Sequence, residues 1–138
     1  MKFDDFIKNG QVKKCSEDAE LMKSLVSGAE TDLKFLRDIE ISETSARKIM
    51  ANYYDILRAV LEAIAVLDGY KIYSHEAFAF FLKEKGENII AEKFDRFRKI
   101  RNGINYYGKT ISVEEVKENS ASILKVIETL KKKYLEGI

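Results

Sequence analysis

Cationic, amide and phenolic side chains crowd into one short run, Arg98-Lys99-Ile100-Arg101-Asn102-Gly103-Ile104-Asn105-Tyr106-Tyr107-Gly108-Lys109. Side chains of these types can bind and orient an oxyanion, because a guanidinium presents a planar fork of donors while amides and phenols supply further hydrogen bonds. Plotted at 100° per residue, Arg101 falls within the arc of Ile90, Phe94, Phe97 and Ile104, so it points where the core-facing residues point. A guanidinium keeps its proton, and stripping it of water without compensation costs several kcal/mol. Arg101 therefore requires a carboxylate, backbone carbonyls, a cleft open to solvent or an anionic ligand. Arg98 and Asn105 lie on its flank, with Asn102 and Asp95 further toward the polar side. The candidate reacting groups are Arg101, Asn102 and Tyr106. The candidate binding groups are Arg98, Asn105, Tyr107, Lys109 and His75.

Helices must position these groups, because the chain has no proline and only seven glycines among 138 residues. Phe3 to Lys8 can form a helical turn that Gly10 stops, followed by a linker from Gln11 to Cys15. Ser16 is placed to cap a helix running to Ile39, with Met22, Leu25, Val26, Ala29, Leu33 and Leu36 on its inner face. Ser42 and Thr44 offer caps for a central helix to Asp68, which Gly69 ends. Its apolar residues, from Ala46 through Tyr53, Ile56 and Val60 to Leu67, span well over a third of the circumference, which implies several packing neighbours. On its opposite stripe lie Asp55, Arg58 and Glu62; Arg58 and Glu62 read as a surface pair at the helix-stabilising spacing.

Tyr70 to Tyr73 read as a turn, and Ser74 caps a short aromatic helix to Leu82 that carries His75, the only histidine. A lone histidine in a first turn is favoured as neutral imidazole and is no metal ligand by itself. Glu87 to Tyr107 form the helix that bears the polar run, ended by Gly108. Gly103 inside it costs about 1 kcal/mol against alanine and suggests close approach of another helix or backbone. Ser112 and Glu115 make a capping box for a last helix to Leu135, near whose end Lys131 to Lys133 read as a solvated run. No strand pattern competes with the helical period. The expected fold is all-α: a single domain over residues 1–138, an antiparallel bundle of four long helices with a short extra helix and a short N-terminal helical turn.

Net charge is +1, from 24 basic and 23 acidic residues, so no global field recruits nucleic acid or an anionic membrane, and anion binding must be local. The single Cys15 has no intramolecular partner and reads as a free thiol. No apolar run approaches a membrane span, and the early Asp4 and Asp5 do not suit a targeting peptide, so a soluble, cytoplasmic protein without membrane association is expected. No residue pattern calls for a metal or other cofactor.

Three runs carry a resemblance to the small archaeal and bacterial proteins of the HEPN superfamily. They are Phe3-Asp4-Asp5-Phe6-Ile7-Lys8-Asn9-Gly10-Gln11-Val12-Lys13-Lys14, Leu67-Asp68-Gly69-Tyr70-Lys71-Ile72-Tyr73-Ser74-His75-Glu76-Ala77, and Arg101-Asn102-Gly103-Ile104-Asn105-Tyr106-Tyr107-Gly108. The resemblance implies a helical bundle that commonly forms a homodimer, with the Arg-bearing helices lining a shared cleft. Ribonuclease members cleave RNA without metal, using an Arg followed after four to six residues by His. The Arg corresponds to Arg101 and the adjoining Asn to Asn102, while Tyr106, Tyr107 and Gly108 stand where the His would be. A phenol with a pKa near 10 is a poor base at neutral pH.

Other members pair with a minimal nucleotidyltransferase in toxin–antitoxin systems. In one such group a tyrosine two positions past that His is nucleotidylated, a position held here by Gly108. Three readings stand side by side. One is a nucleotide- or anion-binding module of such a system. A second is a metal-independent endoribonuclease with Arg101 on the scissile phosphate and Tyr106, Tyr107 or a cross-subunit His75 moving the proton. In the third, Arg101 serves an internal salt bridge.

Overall fold

A computed structural model describes residues 1–136. The chain runs α1 (Phe3–Lys8), β1 (Val12–Lys14), α2 (Ala19–Arg37), α3 (Ala46–Leu67), β2 (Tyr70–Ile72), α4 (His75–Glu84), α5 (Asn88–Tyr107) and α6 (Val113–Leu130), then a π-helical turn over Lys131–Leu135. It is predominantly helical, and none of the described helices is long and apolar enough to cross a membrane. One continuous core draws on residues from Phe3 to Leu135.

Helix α3 is the hub. Met50, Tyr54, Leu57 and Leu61 along it are fully buried, and it packs against α2, α4, α5, α6 and β2. Its start is fixed locally: Ser42 N donates to Ser45 Oγ at 2.9 Å, and Ser45 Oγ donates to the Glu40 carbonyl at 2.9 Å. Ser45 thus takes the cap position, with Ser42 its partner and Thr44 outside the arrangement. Helix α2 begins later than Ser16 suggests, because the Asp18 carboxylate accepts from Leu21 N at 2.9 Å and satisfies the first orphan amide. It ends at Arg37, with Ile39 beyond it packed partly buried against the core. The α6 capping box forms as expected, Glu115 N donating to Ser112 Oγ at 3.1 Å.

The expectation of no strands is corrected. The expected linker and the expected turn pair as a two-stranded antiparallel ribbon, Val12 opposite Ile72 and Lys14 opposite Tyr70. Three residues are too few to print an alternating pattern, and the partners are remote in sequence, so only the packed core brings them together. Val12 and Ile72 turn inward while Lys13, Lys14 and Lys71 face out. Phe3 closes the near side, its ring 5.2 Å from Tyr70 and 5.6 Å from Phe81.

Two further expectations shift. What lies over Gly103 is no helix or backbone but the Lys109 side chain, whose Cδ stands 3.1 Å from where a glycine-borne Cβ would sit. The αL conformation of Gly108, φ 66°, sends the chain back so that Lys109 N donates to the Gly103 carbonyl at 3.0 Å, which carries that side chain across. The last helix widens after Leu130 into its π turn, setting Lys133 and Tyr134 on Glu87 between α4 and α5. Hydrogen bonds from Lys133 and then Tyr134 hold the Glu87 carboxyl below its ordinary range. Burial and then Glu87 push the Tyr134 phenol up to about 12. The lysine run is therefore tied down in part, Lys131 to Glu30 and Lys133 to Glu87.

Gly69 links α3 to the ribbon at φ 86°, and a Cβ there would meet the Cys15 carbonyl oxygen at 3.2 Å. Gly69→Ala is expected to cost about 1–2 kcal/mol from the left-handed backbone, with the contact adding to that, read as a shift in the denaturant midpoint. An unchanged midpoint would show that the ribbon does not hold Gly69 in this conformation.

Candidate functional site

Three helices converge on one seam. Helix α3 contributes Tyr54, Asp55, Arg58 and Glu62; α4 contributes His75 from its first turn; α5 contributes Arg98 and Arg101. Tyr54 is wholly buried and anchors the seam, its ring 5.4 Å from Phe94 and 5.8 Å from His75. Its hydroxyl lies 3.0 Å from His75 Nδ1.

Arg101 points inward as its helical angle requires, and its side chain is only 15% exposed. The guanidinium carbon sits 5.5 Å from the ring centroids of both Tyr54 and Tyr106, a cation–π contact with each. Its Nη1 donates to the Tyr106 hydroxyl at 3.1 Å. Its Nη2 is 3.9 Å from Asp55 Oδ1, an ion pair without a hydrogen bond, to a carboxylate that is 43% exposed. Its Nε is buried and has no partner among the described residues, and the same holds for the Nε of Arg58. Arg58 reaches Glu62 at 3.1 Å in the expected i,i+4 pair, with both side chains partly exposed. Arg98 donates through Nε and Nη2 to Asp95 Oδ1 at 3.0 and 2.8 Å.

The charges act on one another. Burial lowers the His75 pKa first, and the Arg58 and Arg101 charges lower it further against the opposite pull of Asp55, so the imidazole is neutral at pH 7. Burial raises the Tyr54 phenol above its ordinary value despite the neighbouring arginines. At Asp95, burial alone would raise the carboxyl, but Arg98 and Lys99 outweigh it and hold it below the ordinary range.

Of the residues singled out from sequence, Arg98, Arg101, His75 and Tyr106 come together here. Arg98 and His75 share the seam, while Tyr106 caps Arg101 from outside, 66% exposed. Asn102 is half-buried and Asn105 exposed on the adjoining surface. Tyr107 is 77% exposed and Lys109 lines a separate groove with Asp95, Arg96, Lys99 and Glu115. Tyr54, Asp55 and Arg58 were not anticipated as site residues. Their signal was the spacing Tyr54–Arg58–Glu62, four residues apart on one face, which aligns an aromatic, a cation and a carboxylate. His75 reaches Tyr54 within the same chain. Alongside, a groove of about 370 Å³ between α2 and α3 is lined by Asp32, Phe35, Asn52, Asp55 and Arg58.

Chemically, the seam offers guanidinium donors held against flat rings and a neutral imidazole. Among the described residues no cluster of three His, Cys, Asp or Glu side chains could hold a metal ion. Compared with models of protein families, with curated proteins and with solved structures, the chain finds no match.

The depressed His75 pKa makes a stability prediction. An unfolded imidazole takes up its proton near pH 6.5, while the folded ring resists protonation. Between those values the unfolded chain binds more protons, so stability falls as pH drops through about 6.5 and levels off once the folded ring titrates. The carboxylates with depressed pKa values act only at lower pH. Urea midpoints between pH 7.5 and 5.5 should decline for the wild type and be flat for His75→Gln; parallel declines would exclude His75 as the source.

Proposed function

We propose that this chain is a HEPN-type protein whose four long helices, α2, α3, α5 and α6, form an antiparallel bundle. In this reading it works as a homodimer in the cytoplasm, as a non-catalytic or degenerate nucleotide- or anion-binding module of a toxin–antitoxin or nucleotidyltransferase-associated system. The ligand group is an oxyanion, the phosphate of a nucleotide or of RNA, received at Arg101. The observation that carries the reading is the under-satisfaction of Arg101: a guanidinium with five donors makes one hydrogen bond, to Tyr106, and one long contact to Asp55. Arg58, with a second unpartnered Nε, supports it. An internal salt-bridge role fits Arg98 better, because Asp95 already satisfies two of its donors.

A second reading, a metal-independent endoribonuclease, draws on one specific observation. His75, absent from the position expected after Arg101, stands 3.0 Å from Tyr54, whose ring lies against the Arg101 guanidinium. An imidazole near a phosphate-binding arginine is the minimum for proton transfer to or from a ribose hydroxyl.

Calorimetric titration with inorganic phosphate and with a 5′-phosphorylated single-stranded RNA tests both. Wild type is expected to bind, and Arg101→Ala to bind about tenfold more weakly or worse, a loss of about 1.4 kcal/mol. Lys117→Ala, exposed on α6, is expected to bind as wild type. Equal binding by wild type and Arg101→Ala, or none by wild type, overturns the anion reading. Incubating the same RNA with excess chelator decides the second reading: cleavage lost in His75→Gln and Arg101→Ala supports it, and intact RNA with wild type removes it. A monomer mass by light scattering at micromolar concentration would exclude the dimer.

A further inference from the structure

The Tyr54 hydroxyl has one hydrogen-bond partner among the described residues, His75 Nδ1 at 3.0 Å, and Tyr54 itself is fully buried. Two proton arrangements could satisfy that distance. If Nδ1 carried the proton, it would donate to the phenol oxygen, and the phenol's own proton would be left without an acceptor in a site that solvent does not reach. A buried donor left unmade is the costly outcome. If the phenol donates to the Nδ1 lone pair, both atoms are satisfied and the single proton of the neutral ring resides on Nε2. Nε2 makes no hydrogen bond among the described residues and is not one of the buried unpartnered atoms, so on this half-buried residue it is the nitrogen that keeps contact with solvent. The groups that act on the ring are Tyr54, Asp55 and Arg58 of α3 and Arg98 and Arg101 of α5; the guanidinium charges oppose a second proton.

Resting on the anion-binding reading above, we infer that Tyr54 fixes His75 as the tautomer protonated at Nε2, so that the nitrogen facing solvent donates a hydrogen bond to a bound oxyanion. That nitrogen then has no lone pair with which to take a proton from a hydroxyl. The ligand at this point is an acceptor, a phosphate or carboxylate oxygen, and not a ribose hydroxyl awaiting deprotonation. Tyr54 is in this sense a positioning residue: it touches no ligand and decides which face of the imidazole the ligand meets. The arrangement separates the two functional readings, because a general base in the ribonuclease reading needs the opposite tautomer at the open nitrogen.

The full-length chain labelled with ¹⁵N tests this directly, since its one histidine gives a single pair of ring nitrogens. Long-range ¹H–¹⁵N correlation at pH 7.5 is expected to place Nε2 among protonated and Nδ1 among unprotonated ring nitrogens, with the Tyr54 hydroxyl proton visible and slow to exchange. Tyr54→Phe keeps the ring's volume and removes only the hydroxyl. It should move both nitrogens toward averaged positions, abolish the slow proton and raise the His75 pKa, because the neutral ring loses the bond that favoured it. Added inorganic phosphate should shift Nε2 and its proton in the wild type while leaving Nδ1 in place, and should bind Tyr54→Phe several-fold more weakly. Protonated Nδ1 in the free protein overturns the inference, as does bound phosphate that leaves Nε2 unmoved. If phosphate does not bind at all, the anion reading fails and the donor role with it, whereas the tautomer is still read in the free protein.

Discussion

The apolar girth of α3 is the constraint on which the rest depends. Its side chains are buried against α2, α4, α5, α6 and β2, so the polar residues it carries have few directions left. Asp55, Arg58 and Glu62 cannot all turn to bulk water, and they are held at half exposure along the seam with α5. The same wide burial puts Tyr54, a residue with a hydroxyl, at full burial, and that hydroxyl must find a partner. His75 is that partner because Ser74 starts α4 at this level, delivering the imidazole from the helix's first residue. The site is thus a by-product of closing a core around one helix whose polar stripe is too narrow to be left outside.

Electrostatically, the seam differs from a basic patch. Arg58, Arg98 and Arg101 face Glu62, Asp95 and Asp55 respectively, so the local charge is close to balanced. What distinguishes Arg101 is the quality of its pair: 3.9 Å without a hydrogen bond, against 2.8 Å for Arg98 and Asp95. A balanced cluster of this kind attracts no anion from a distance. Recognition would rest on short-range donors already oriented by Tyr54 and Tyr106, and affinity would depend weakly on salt by the standard of proteins that neutralise many phosphates.

Much of this was legible beforehand. The helical period of α3 and the caps at Ser112 and Gly108 were readable because each is a local signal, and so was the inward angle of Arg101. Three things were not. The ribbon between Val12–Lys14 and Tyr70–Ile72 is a tertiary pairing of segments too short to carry a period of their own. The cover over Gly103 comes from Lys109, six residues on, through the turn at Gly108 rather than through a neighbouring helix. The seam itself needed two helices to be rotated against one another, because Tyr54 and Arg58 look unremarkable on α3 until Arg101 is brought opposite. A helical wheel gives the direction of one side chain and not the identity of what faces it.

The position of His75 bears on the histidine that the proposed HEPN resemblance expects after Arg101. A histidine in place of Tyr106 or Tyr107 would share helix α5 with Arg101. His75 reaches the seam from α4 instead, and the wholly buried Tyr54 stands in contact with both groups, its ring centroid 5.8 Å from that of the imidazole and 5.5 Å from the guanidinium carbon. The phenol touches both groups at once: its hydroxyl meets imidazole Nδ1 and its ring lies against the Arg101 guanidinium. Tyr106 also contacts Arg101, with a hydroxyl that accepts from it at 3.1 Å. In the proposed anion-binding reading, an arginine held by two phenols and an imidazole tethered at Nδ1 would act as a donor set. Taking a proton from a hydroxyl would require a lone pair on the ligand-facing nitrogen, and a phenol that donates to Nδ1 leaves the ring's one proton on Nε2 instead.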